Sequence, residues 1–248
     1  MQAVYILWLR EIKRYTRSRA RMVGSLGQPL LFLVALGFGL GPVFQKAGQG
    51  NYFEFLTPGV IAMGILFTSI FAGIQVIWDR QFGFLKESLV APISRFEIML
   101  GKTLGGATIA ALQGIIVFAI SFLLGFRPTS FLLFPLFFVF IFLIGVLFTA
   151  VGVAVASILE DISGFQLIMN FLVQPLFFLS GALFPLDKVP KVLLGITIID
   201  PLSYGVDALR GVLMGQNHYP LLLDFSLLGG ITVVVLSVGS YLFSRIEL

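Results

Sequence analysis

Hydrophobic side chains run in long blocks along this chain, and the charged residues fall between them in short clusters. Six stretches contain no Asp, Glu, Lys or Arg: Met22 to Gln45, Phe55 to Trp78, Thr103 to Phe126, Pro128 to Leu159, Ile162 to Leu186 and Phe225 to Ser244. A helix needs about 20 apolar residues to cross the hydrocarbon core, and a charge at its centre is expensive. The pattern therefore predicts an all-α integral membrane protein with six transmembrane helices, near 23–44, 57–78, 104–125, 131–157, 164–184 and 221–243. These runs lack the two-residue alternation of lipid-facing strands. The first block is too long for a cleavable signal, and no small-residue cleavage pattern follows it.

Three segments outside the blocks carry their own patterns. Residues 1–21 read as an amphipathic helix, with Arg10, Arg14, Arg17 and Arg21 on one face and Val4, Trp8, Ile12 and Tyr15 roughly opposite. Such a helix lies on a membrane surface, aromatic rings at headgroup level and arginines near anionic lipid. Residues 79–102 hold seven charges, yet interleave Phe82, Phe84, Leu85, Leu89 and Val90 in a loop too short for its own core. That predicts a docking element: a short helix through Leu89, a break at Ala91-Pro92, and a second turn capped by Ser94 with Glu97 three residues on. Residues 185–220 stay apolar for much of their length, but Pro185, Pro190 and Pro201 interrupt them too often for a crossing helix.

Composition fits this picture and removes alternatives. Hydrophobic residues make up 58% of 248 positions and charged residues 11%, with a mean hydropathy of +1.03, too little polar surface for a water-soluble globule. The absence of cysteine excludes disulfides and thiolate metal sites. If the amino terminus is cytoplasmic, eleven Lys and Arg lie on its side of the membrane, against five (Lys46, Arg127, Lys188, Lys191, Arg210) on the other. That asymmetry predicts both termini inside and the proline-broken segment outside.

Catalytic chemistry is sparse. Gly101-Lys102-Thr103 resembles the tail of a phosphate-binding loop, but Phe96 stands where its first glycine is required and no strand precedes it. Ser180 and the sole histidine, His218, could be compared with an intramembrane serine-protease pair, but His218 belongs to a polar turn. No ionisable residue sits centrally in a predicted span, which leaves no carboxylate or His relay for an ion-coupled carrier or channel. The main amides at membrane depth are Gln113, Gln166, Asn170 and Gln174, the last three spaced by four on one helix face. They read as interhelical hydrogen-bonding groups or as the lining of a substrate pathway, beside Phe171, Phe177, Phe178 and Phe184.

The basic amino-terminal helix, the charged and apolar loop after span two, and the stretch GALFPLDKVPKVLLGITIIDPLSYGVDALRG resemble the permease subunit of a type-2 ABC transporter over nearly the whole chain. The most specific piece is Phe184-Pro185, Pro190, Asp200-Pro201, Tyr204 and Asp207 to Arg210, similar to the drug-exporter-like branch except that Asp200 replaces the usual Asn. The resemblance implies a multi-pass cell-membrane protein with no nucleotide site of its own. It implies partnership with two copies of a cytoplasmic ABC ATPase that hold ATP and Mg, a second copy of itself or of a homologous permease, surrounding lipid, and no nucleic acid. It also implies an interface helix bearing Trp8, Arg10, Arg14 and Arg17, and a coupling helix from Asp79 to Leu89. In the latter, Phe82, Phe84 and Leu85 form an apolar plug, with Asp79, Arg80, Lys86 and Glu87 as charged positions. Gln166, Asn170, Gln174, Phe177 and Phe178 would line the pathway. Two re-entrant outer helices at 187–199 and 202–214 would form an outer gate with Pro185, Pro190, Pro201, Tyr204, Asp207 and Arg210. Expected cargo is a hydrophobic or amphipathic drug, lipid or lipid-linked compound, the alternative being a lipid-linked polysaccharide.

Overall fold

A computed structural model describes residues 2–46, 50–84, 92–129, 131–185 and 190–245. Among these, ten helices follow one another: α1 (Gln2–Arg17), α2 (Arg19–Lys46), α3 (Tyr52–Ala72), α4 (Ile74–Gln81), α5 (Arg95–Leu123), α6 (Phe134–Ile158), α7 (Ile162–Leu179), α8 (Lys191–Ile199), α9 (Pro201–Met214) and α10 (Leu221–Ser244). No strand occurs among the described residues. Six helical stretches are long and apolar enough to cross a membrane: α2, α3 with α4, α5, α6, α7 and α10. The chain is a multi-pass membrane protein, as its hydrophobic blocks predict.

Local chemistry sets the boundaries. Asn51 caps α3 by accepting the Phe53 amide, so this helix starts well before the expected residue 57. Ser94 and Glu97 close a reciprocal capping box at the start of α5, satisfying two amides that would otherwise lack partners. The fifth span ends at Leu179, five residues earlier than its hydropathy suggests. Its Ser180 hydroxyl donates to the Phe177 carbonyl and accepts the Ala182 amide, and Gly181 turns the chain at φ +74°. The amino-terminal segment is likewise not one helix to residue 21. It turns at Ser18, which leaves Arg21 on α2 rather than on the arginine face of α1.

Helices α3 and α6 form the centre. In α3–α4 and α6 about seven-tenths of the apolar window is buried within the chain (72% and 67%), against 17% in α2 and α10 and 22% in α7. The central pair approach through glycine: a Cβ on Gly73 would lie 2.3 Å from the Gly152 carbonyl oxygen, and one on Gly152 would lie 2.4 Å from that of Ile70. Without a hydrophobic drive between helices in lipid, such close backbone packing supplies much of the cohesion. The three less buried spans leave apolar faces open on the surface of the single chain.

Both termini lie at one end of the bundle, called here the near end, where Arg95 donates to the Ser244 carbonyl. Helices α8 and α9 lie at the far end, where Thr129 bonds to Leu213 and Met214.

Candidate functional site

At the near end, α1 lies along α5. Leu7, Glu11 and Tyr15 face inward at four-residue intervals, and Gly101 and Gly105 of α5 leave room for them: added Cβ atoms would approach the Leu7 and Glu11 Cβ atoms to 2.8 and 2.7 Å. Trp8 donates its indole N–H to the Thr108 hydroxyl at 3.0 Å. The aromatic face of α1 thus turns partly onto the protein itself. The Gly101-Lys102-Thr103 triplet acquires a packing role in place of the phosphate site it mimics.

Glu11 and Lys102 place charge inside this contact. Asp79, 3% exposed at the end of α4, is paired with Lys102, 5% exposed on α5. Arg10 and Arg14 of α1 each reach the other Asp79 oxygen at 3.4 Å, and Arg14 also pairs with Glu11. Three helices are therefore joined by one cluster of buried and half-buried charges. In low dielectric such groups persist only when paired. Sequence reasoning placed Asp79 and Lys102 at span edges without relating them, and passed over Glu11. The available signal was an acid on the apolar side of α1, between Leu7 and Tyr15.

The expected coupling residues divide by position. Asp79 faces inward, not toward a docking surface, because Lys102 and the α1 arginines surround it. Arg80 donates to the carbonyls of Ser157 (3.1 Å) and Leu159 (3.4 Å), and Gln81 donates to that of Glu160 (3.2 Å), fixing α4 to the α6–α7 junction. Phe82 and Phe84 are exposed, 69% and 49%, next to a half-exposed Trp78. Leu85, Lys86 and Glu87 lie outside the described residues. Of the expected interface positions, Arg17 is exposed at the end of α1.

On α7, Gln166, Asn170 and Gln174 are exposed, and their side chains have no hydrogen-bond partner among the described residues. Phe178 is exposed beside them. Phe177, expected in the same lining, instead turns inward: it is 1% exposed and meets Phe32 of α2 edge-on. Gln113 serves interhelical bonding, accepting from Thr68 and donating to the Ser25 carbonyl.

The far end is closed mainly by bonds to backbone groups. Thr197 donates to the Leu179 carbonyl, Tyr204 to that of Ile198, Tyr52 to that of Leu183 and Arg210 to that of Gly181, at 2.7–3.2 Å. Arg210 also stands over the Phe55 ring, 4.2 Å from its centroid. Asp207 accepts the amides of His218 and Tyr219 at 2.8–2.9 Å, so the spacing of Asp207 and Arg210, which favours a local pair, is used for two separate anchors. Asp200 caps α9 through the Leu202 amide, with Pro201 at the first helical position. Burial pushes its carboxyl up to about 7, against the pull of that capping bond, and its second oxygen has no partner. Pro190 precedes α8. Pro185 borders a polar cavity of about 290 Å³ with Asp207, Arg210 and His218. Asp224, in the first turn of α10, is wholly buried with both oxygens unpartnered, which a position at the edge of a hydrophobic block does not reveal. His218 is exposed, and the Ser180 hydroxyl is engaged as a helix cap, an arrangement of capping rather than of a nucleophile and base.

Comparison with known proteins agrees with this architecture. Residues 2–214 match the profile of the family described as ABC-2 type transporter. Similar proteins include Nodulation protein J of Rhizobium leguminosarum bv. trifolii, 30% identical over 86% of this chain and 79% of that one. The Inner membrane transport permease YadH of Escherichia coli strain K12 is 28% identical over 97% and 92% respectively. The Putative transport permease ycf38 of Cyanophora paradoxa is 30% identical over 85% and 73%.

Proposed function

Because this chain belongs to the ABC-2 type transporter family, we propose that it is the membrane-spanning half of an exporter, paired with a second permease chain and driven by two copies of a separate cytoplasmic ABC ATPase. ATP and Mg would be held by that partner. On this reading the near end faces the cytoplasm, in keeping with the excess of Lys and Arg on that side.

The observation that carries the reading is an apolar tip on a firmly held lever. Phe82 and Phe84 are exposed just beyond an α4 terminus tied to α1 and α5 through Asp79 and to the α6–α7 junction through Arg80. Closure of the ATPase against that tip would move several helices together. Nucleotide would then bias one two-state arrangement of the bundle. Helix α7 begins at the junction that Arg80 grips. Its exposed amides and Phe178 suit an interface between two chains, where a hydrophobic or amphipathic cargo could pass without ion-coupling charges. Unpartnered amides facing lipid would be costly, which favours a protein or cargo surface over that face. Helices α8 and α9, with Tyr204, Asp207 and Arg210, would then form the outer gate.

The test is coupled transport with an ABC ATPase encoded beside the chain. The complex is expected to contain two copies of each subunit. Phe82→Ser combined with Phe84→Ser is expected to reduce transport to background while membrane insertion persists. Unchanged transport in that variant overturns the docking assignment, and full activity without any ATPase overturns the reading as a whole.

A further inference from the structure

A cavity of about 790 Å³ opens at the near end between α1, the start of α2 and α4, and its lining combines cationic and aromatic side chains. Arg10, Arg14 and Arg21 line it together with Phe71, Trp78 and Phe82; Arg10 stands 5.6 Å from the centre of the Phe84 ring, and Asp79 is the one carboxylate among the described lining residues. The volume falls within the range of small-ligand sites.

The charges around it do not balance. Among the described residues, Arg10, Arg14 and Lys102 pair with two carboxylates, Glu11 and Asp79, and Arg21 adds a further positive charge. Asp79 has its closest partner in Lys102, while the guanidinium contacts to it are long at 3.4 Å. Arg10 gives Asp79 one of the guanidinium's five N–H donors, and Arg14 gives one to Asp79 and one to Glu11, so both keep donor capacity, their side chains 35% and 31% exposed. Arg21 makes no hydrogen bond or ion pair among the described residues. Planar guanidinium groups match phosphate oxygens in pairs of parallel hydrogen bonds, and they bind phosphate better than a solvated surface lysine does. In the same cavity, Phe71 and the half-exposed Trp78 offer apolar and aromatic surface that water does not satisfy. Guanidinium groups beside aromatic rings suit a molecule with an anionic head and an apolar tail.

We propose that this cavity binds the headgroup of an anionic phospholipid, with the phosphate on Arg14 and Arg21 and the start of an acyl chain against Phe71 and Trp78. The site is distinct from general attraction between a basic helix and an anionic surface. Lys13 and Arg17 contribute to that attraction, yet neither lines the cavity. It is also independent of what the transporter carries.

The chain contains two tryptophans, Trp8 and Trp78, and only Trp78 lines this cavity. In a Trp8→Phe background, fluorescence of Trp78 therefore reports occupancy by brominated lipid. The full chain, reconstituted in phosphatidylcholine nanodiscs, is titrated with brominated phosphatidylglycerol or brominated phosphatidylcholine. Half-maximal quenching is expected at an about tenfold lower fraction of phosphatidylglycerol, the order of effect that two positioned arginines provide. Arg14→Gln with Arg21→Gln should abolish the preference. Lys13→Gln with Arg17→Gln removes the same charge outside the cavity and should preserve it. Competition by inorganic phosphate would show that the guanidinium pair takes phosphate from solution as well, and insensitivity to it would assign the site to lipid alone. Equal quenching by the two lipids, or equal loss of preference in both double variants, would overturn the proposal.

Discussion

At the near end, Asp79 is held by Lys102 and two arginines drawn from two other helices, whereas at the far end Asp207 is held by the backbone amides of a turn eleven and twelve residues away. The first arrangement joins elements distant in sequence through full charges. The second closes a local loop, and most of its neighbours, Thr197, Tyr204, Tyr52 and Arg210, likewise reach backbone carbonyls. Charge pairs in low dielectric are strong when complete and costly when broken, so the near end behaves as one unit. Hydrogen bonds to backbone are individually modest and can be exchanged one at a time. Under the exporter mechanism proposed above, one end would transmit force as a unit while the other could open bond by bond.

The comparison can be broken most severely at Lys102. Lys102→Met leaves Asp79 as a buried, poorly paired carboxylate and is expected to cost about 3–5 kcal/mol, read as a fall in the denaturation midpoint in detergent. Adding Asp79→Leu should recover most of that loss, since Glu11 keeps Arg14 and the half-exposed Arg10, which loses its carboxylate, can be solvated; failure to recover would place the cost in packing instead. Next in size is Asp207→Ala, which strands the His218 and Tyr219 amides and should cost about 2–3 kcal/mol. Faster proteolysis confined to the 215–220 turn, with the near end unchanged, would show that the two ends yield separately.

The last variant acts in the opposite direction. Burial raises the Asp200 carboxyl from 3.8 to about 7, so the folded state holds the proton more tightly than the unfolded chain. The corresponding stability is fully present below about pH 3.8 and is lost as pH rises toward and through 7. Asp200→Asn keeps an oxygen to accept the Leu202 amide and removes the titrating carboxyl. Its midpoint should fall less from pH 5 to pH 8 than that of the parent, and parallel profiles would remove the assignment of a buried neutral acid.

Much of the architecture was legible because lipid punishes misplaced polarity. Every unpaired charge or backbone group in hydrocarbon is expensive, so the charge-free blocks marked six spans, and Ser94 with Glu97 marked the start of α5. The early end of α7 was less legible. Hydropathy stays high through Leu183, but the Ser180 cap and the positive φ of Gly181 end the helix first. The inward turn of Phe177 was hidden as well, since helical spacing places it between Gln166 and Asn170 and only Phe32 on α2 decides its environment.

The sequence by itself determined the membrane class, the number of spans, the proline-broken segment after the fifth, and the family, because these depend on composition and local order. Only the tertiary structure decided that Lys102 meets Asp79, that α1 brings Glu11 and two arginines to them, and that Asp224 is enclosed without a partner. Those facts depend on which helix faces lie against each other. Contacts between residues 23 to 91 positions apart follow from glycine-lined approaches such as that of α1 to Gly101 and Gly105, and hydropathy along one chain does not encode them.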